Sequence, residues 1–204
     1  MQGKRNALKV AMVSVLTAVV VVFTMVVRIP TAKGYLNLCD VAICFIAFTF
    51  GPWSAFIAAG LGTALADLIS GYAQWAPISF VVHGVEGLLV ALIVQKKGDA
   101  AVSLGRKALA AFVCIATVSL GYFALSALFI STVSVAAAEI PGNIAQSAVG
   151  FALGLAVSAA VKRAYPPVSS LAWLSLPRLF DILRLYLNRE ECTCNNSPMT
   201  PSLY

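Results

Sequence analysis

Apolar residues run along this chain in long blocks, and the polar positions cluster in short stretches between them. The blocks predict spans over about 7–27, 38–50, 53–69, 77–94 and 108–133, with a sixth running from after Pro141-Gly142 to Lys162-Arg163. Crossing a hydrocarbon core of about 30 Å takes about 20 helical residues, and most of these blocks are long enough. The breaks have local causes. Gly51-Pro52 stops the second block, Ser70-Gly71-Tyr72 ends the third, and Pro77 suits an early helical position of the fourth. Because the second block is short, blocks two and three read either as two crossings or as a re-entrant pair. Both versions return the chain to the same side. The expected fold is an all-α membrane protein, a bundle of six transmembrane helices over residues 1–163.

Composition supports a bilayer as the solvent: 60% of the chain is hydrophobic, 11% is charged and the mean hydropathy is +0.91. A soluble domain carries about 25% charged residues. The net charge of +6 therefore reports orientation and calls for no nucleic-acid partner. Lys4, Arg5 and Lys9 precede span 1, and Lys96, Lys97, Arg106 and Lys107 separate spans 4 and 5. Lys162 and Arg163 close span 6, and Arg178, Arg184 and Arg189 lie in the tail, which leaves Arg28 and Lys33 for the other side. Both termini are thus expected in the cytoplasm. The first apolar run is too long for a cleavable leader.

Residues 164–204 form a tail of different character. Tyr165-Pro166-Pro167 is a stiff exit. Leu176, Leu179, Phe180, Leu183 and Leu187 share one face of an expected amphipathic helix over about 176–188, suited to the membrane interface or to a packing contact. The last dozen residues read as disordered. The five cysteines make no disulfide framework, and Cys192 and Cys194 read as unpaired tail thiols.

Candidate chemistry gathers at the non-basic end of the bundle. The connections there contain Gly34-Tyr35-Leu36-Asn37-Leu38-Cys39-Asp40, then Ser70 to Pro77 with Tyr72 and Trp75, and Glu139-Ile140-Pro141-Gly142-Asn143. Rings, amides and carboxylates in one place suit the stacking and edge-bonding of an aromatic ligand, although Tyr and Trp also form interfacial belts. Inside the spans, ionisable groups are costly and so become functional candidates. His83 and Glu86 stand three apart on one helix face, as do Asn143 and Gln146. The competing role for these four is polar glue between helices. A His-x-x-Glu metal pair lacks an evident third ligand, so no metal is expected. Asp40 is placed to cap span 2, and Asp67 is expected to find a partner such as Arg28 or His83. Structural roles are expected of both. Ala7 and Ala11, four apart on span 1, would let another helix approach closely.

No phosphate-binding loop, nucleophile elbow or zincin motif occurs, and the two halves show no repeat. If the protein moves a solute against a gradient, ATP hydrolysis falls to another chain. An autonomous channel or secondary transporter, or a membrane enzyme using His83 and Glu86 as an acid–base pair, are the alternatives from other classes.

The series Gly-Tyr-Leu-Asn-Leu-Cys-Asp at 34–40, Phe-Gly-Pro-Trp at 50–53, Ala-Asp-Leu-Ile-Ser-Gly-Tyr at 66–72, Trp-Ala-Pro-Ile-Ser-Phe at 75–80, His-Gly-Val-Glu-Gly at 83–87 and Glu-Ile-Pro-Gly-Asn-Ile-Ala-Gln at 139–146 resembles the S components of energy-coupling factor (ECF) transporters. The likeness is to the riboflavin-type branch, which includes hydroxymethylpyrimidine and pyridoxine transporters, and covers about residues 5–163. It implies a substrate-capturing subunit of a cell-membrane importer that binds a small aromatic vitamin or precursor at the outer face. Pyridoxine or hydroxymethylpyrimidine are favoured, with riboflavin also open. It implies partnership with a transmembrane T component and two ATPases, which use the ATP, and no cofactor on this chain. By the same resemblance Asn37, Trp75, His83, Glu86, Asn143 and Gln146 are expected at the substrate, and Ala7 and Ala11 at the T component. A histidine at 83, where such proteins often carry lysine, changes charge and reach.

Overall fold

The computed structural model describes residues 2–31, 34–94 and 102–171. Helix α1 spans Gln2–Val26, and strands β1 (Arg28–Pro30) and β2 (Tyr35–Asn37) follow it. Five helices come next: α2 (Cys39–Phe50), α3 (Pro52–Ile69), α4 (Ala76–Val94), α5 (Leu104–Phe129) and the short α6 (Val133–Ala138). Helix α7 (Ile140–Ala164) and a 3-10 turn at Pro166–Leu171 complete the order. Among the described residues, five stretches are long and apolar enough to cross a membrane: Asn6–Val26, α3, α4, α5, and α6 with α7 taken together. The expected helix at 176–188, Lys96, Lys97 and the tail cysteines lie outside the described residues.

Helix α2 is the hub. Its twelve residues reach only about 18 Å at 1.5 Å per residue, too little to cross alone. Ten of the twelve are buried, among them Ile43, Cys44 and Ile46. A helix apolar on every face is stable only when surrounded. Here α1, α3, α4 and α7 surround it. Glycines in α7 make the closest approach. A Cβ at Gly150 would overlap the Cβ of Asp40, and one at Gly154 would come within 2.6 Å of the Cys44 Cβ. Small residues therefore let the α2 and α7 backbones meet and fix which side chains face each other. Lys162 ties the far end of the pair, its Nζ donating to the Phe48 carbonyl at 2.7 Å near the end of α2. Gly51, at φ 92°, makes the tight reversal into α3.

Three segments differ from expectation. The stretch after α1, expected as a polar loop, is an antiparallel hairpin that pairs Arg28 with Asn37, Ile29 with Leu36 and Pro30 with Tyr35. The Thr31 N–H donates to the Gly34 carbonyl, and the Gly34 N–H donates to Thr31 Oγ1, closing the turn. The fifth span was expected to run to Val133. It ends instead at Phe129, where the Ile130 and Ser131 N–H groups both turn back to the Ser126 carbonyl. Ser126 and Ser131 share a hydroxyl bond of 2.9 Å there, and hydroxyls of this kind compete with helical pairing. Residues Val133–Ala138 then form α6. Helix α7 then starts at Ile140, ahead of Pro141-Gly142, because Pro at the first turn has no N–H to lose.

Candidate functional site

The hairpin, the α3–α4 turn, the end of α5, and the α6–α7 corner meet at one end of the bundle. Together they line a half-open recess. Two polar systems line or back this recess, and each has a distinct origin.

The first system belongs to α3, α4 and α5. Asp67 accepts from the Tyr35 hydroxyl at 2.7 Å and from Ser79 Oγ at 2.5 Å. Ser79 spends its proton on Asp67, so the Tyr122 hydroxyl, 2.7 Å away, donates to Ser79. This corrects the expectation that Asp67 would pair with Arg28 or His83. Burial, reinforced by the neighbouring Asp67 carboxylate, pushes the Tyr35 phenol well above its ordinary range, so the phenol holds its proton and stays a donor. The rings of Trp75 and Tyr122 lie 6.0 Å apart, and Tyr122 meets the His83 ring edge-on at 5.5 Å. Arg28 lies over the Tyr35 ring, 5.8 Å from its centre.

The second system is deeper. His83 Nδ1 lies 2.8 Å from Glu86 Oε2 and 3.3 Å from Asp40 Oδ1, so that nitrogen carries a proton shared by two carboxylates. Nε2 sits 3.5 Å from Cys39 Sγ. Glu86 Oε1 accepts from the Cys114 thiol at 3.1 Å, and Cys114 approaches Cys44 at 4.0 Å. Gln146 joins this network to the hairpin. Its Nε2 donates to Asp40 Oδ2 at 3.0 Å while its Oε1 accepts the Asn37 N–H at 2.7 Å. Asn37 Oδ1 in turn accepts the N–H of Cys39, the first residue of α2. Asp40 makes no capping bond. It serves instead as the cross-helix partner of His83 and Gln146.

Of the six residues expected at a substrate, Asn37, Trp75, His83, Asn143 and Gln146 line the recess. Glu86 does not. It is fully buried behind His83, and its contact with the recess is indirect. Sequence reasoning left Tyr35, Thr63, Asp67, Ser79, Tyr122 and Glu139 out of the set, and all of them line the wall. Ser79 stands four residues before His83 on the same helix face. Glu139, Asn143 and Gln146 share one face by i, i+4 and i+7 spacing, and Tyr122 puts a polar ring inside an apolar span. Those signals were available.

The third ligand that sequence did not offer for His83 also exists. Cys39, Asp40 and His83 bring donor atoms within 4.8 Å of one another, and Cys44, Glu86 and Cys114 do the same. Each of these groups also has a hydrogen-bond partner within the network.

A buried ionic cluster beneath an aromatic-lined recess, inside a bundle of long apolar helices, defines a membrane protein that holds a small polar-edged molecule. The chain belongs to the family described as the ECF-type riboflavin transporter S component, which matches residues 4–163. That family comprises substrate-binding transporter subunits, not catalysts, and the chain is accordingly a multi-pass protein of the prokaryotic cell membrane. A Pyrococcus woesei protein known only as an uncharacterized protein is 34% identical over 151 residues, 73% of this chain and 98% of its own length. A Lactococcus lactis protein named thiamine precursor transporter HmpT is 29% identical over 166 residues, 80% of this chain and 93% of its own.

Proposed function

We propose that this chain captures a small aromatic vitamin or vitamin precursor at the outer face of the membrane and delivers it to an ATP-driven importer. The recess carries the proposal. It sets the Trp75 and Tyr122 rings beside hydrogen-bonding edges from His83, Asn37, Asn143 and Gln146, and it lies at the end of the bundle opposite most of the basic residues. On this reading the chain crosses six times and both termini lie inside. Hydroxymethylpyrimidine or pyridoxine are the favoured cargoes, with riboflavin a third. The Lactococcus relative's name, which speaks of a thiamine precursor, agrees with the first of these.

Transport would need a T component and two ATPases. Ala7 and Ala11 are both exposed on α1, so among the described residues no side chain buries the small face proposed to meet the T component. The test is mass spectrometry of small molecules released by heating the gently purified protein, followed by thermal shift with the three candidate vitamins. A stoichiometric heterocycle, or stabilisation by one of the three, supports the reading. Uptake by the chain alone in vesicles, without ATPases, would replace it with an autonomous transporter.

A further inference from the structure

The polar groups around the recess are not equivalent. His83, Asp67, Ser79, Tyr122 and Gln146 all have hydrogen-bond or ion-pair partners within the chain. Glu139 and Asn143 line the same recess, and neither side chain has a hydrogen-bond or ion-pair partner among the described residues. They stand four apart on one helix face, with Glu139 at the N-cap of α7 and making no capping bond. Asn143 is 9% exposed and Glu139 is half-buried. A carboxylate and an amide left unbonded in a partly dry wall are groups whose partner comes from outside the chain.

Charge narrows what that partner is. Among the described residues no lysine or arginine lines the recess. Its one histidine is already shared by Asp40 and Glu86. Asp67 and Glu139 therefore leave the lining itself acidic, while Arg28 lies over the Tyr35 ring without lining the recess. A phosphate group entering it would lose water and meet like charge, whereas an N–H edge would gain a charge-assisted bond.

Resting on the binding-subunit reading, we propose that Glu139 and Asn143 select a nitrogen heterocycle by its amino or ring N–H edge, and that the recess rejects the phosphate ester of the same heterocycle. Glu139 Oε atoms take the N–H groups. The Asn143 amide, donor and acceptor at once, takes the neighbouring ring nitrogen or hydroxyl.

The test is titration calorimetry on the purified full-length protein with hydroxymethylpyrimidine, pyridoxamine and riboflavin, each paired with its monophosphate ester. A free form is expected to bind at least about 100-fold more tightly than its ester, the scale of several kcal/mol of like-charge cost. Glu139→Gln is expected to weaken the free form about tenfold, the scale of one charge-assisted bond. Glu139→Lys is expected to narrow or invert the preference. Thermal unfolding of each variant checks that it remains folded. An ester binding within threefold of its parent, or a folded Glu139→Gln with unchanged affinity, overturns the inference and leaves the binding-subunit reading standing. Ester binding that disappears in Lys33→Ala overturns it too, by supplying a base from outside the described residues. If none of the six compounds binds, the binding-subunit reading itself falls and takes this inference with it.

Discussion

The two sides of the recess are built from similar residues and used differently. On the α4 side, carboxylates, an imidazole and hydroxyls are linked into closed networks, as in Tyr35–Asp67–Ser79–Tyr122 and Asp40–His83–Glu86–Cys114. At the α6–α7 corner a carboxylate and an amide stand without partners among the described residues. The difference separates two tasks. A buried polar group that is paired gives shape, because moving it leaves its partner unsatisfied in a medium with no water to replace it. An unpaired group at the wall keeps its bonding capacity for something that arrives. Polarity alone does not mark a binding residue, and the pairing state is what tells the two apart.

The largest expected effect comes from breaking the paired side. Glu86→Ala removes an acceptor from both His83 and Cys114 at a fully buried position. It should cost about 3–5 kcal/mol, the range for orphaning one member of a buried ionic cluster. Thermal unfolding in detergent measures this, and an unchanged midpoint would sink the distinction drawn between the two sides. Gln146→Leu comes next. It leaves the Asn37 N–H and one Asp40 oxygen unbonded, for about 1–3 kcal/mol. Because Gln146 is the link between hairpin and bundle, hydrogen exchange at Asn37 should rise in this variant more than exchange in α3. Equal exchange in both places would mean that the hairpin is held by other contacts. Tyr122→Phe keeps the ring against Trp75 and His83 and deletes only the bond to Ser79. A loss of about 0.5–1.5 kcal/mol is expected, and a loss several times larger would show the hydroxyl to be structurally central.

Much of this was legible in the chain before the helices were assembled. The apolar blocks located the helices, and the i, i+3 spacing put His83 with Glu86 and Asn143 with Gln146. The pairings between helices were not legible, because they depend on how α2 sits against its neighbours. Asp40 meets His83, forty-three positions away, because α2 packs against α4, while Gly150 and Gly154 let α7 close onto α2 as well. Nothing local to Asp40 announces it, so a capping role at the start of α2 was the natural expectation. The depth of Glu86 was hidden for the same reason: spacing shows which face a residue shares, not how many layers lie between it and the cavity. Asp67 was expected to seek a basic partner. It took two hydroxyls instead, one of them from a hairpin that the sequence presents as a loop.

The smallest expected change in stability is the most informative about the comparison. Asn143→Ala at the α7 corner removes an amide that bonds nothing among the described residues, and alanine is the better helix former. Unfolding should therefore shift by no more than about 0.5 kcal/mol, as for a substitution that breaks no named interaction. The same variant should bind the cognate heterocycle several-fold more weakly, since a site that hydrogen-bonds its ligand loses that bond in full. The two readouts must part company. If Asn143→Ala destabilises the protein as much as Gln146→Leu does, the corner is also held by a hidden network, and the two sides of the recess are alike after all. If stability and affinity both stay unchanged, the ligand is read from the α4 side, and His83 and Trp75 carry recognition without the corner.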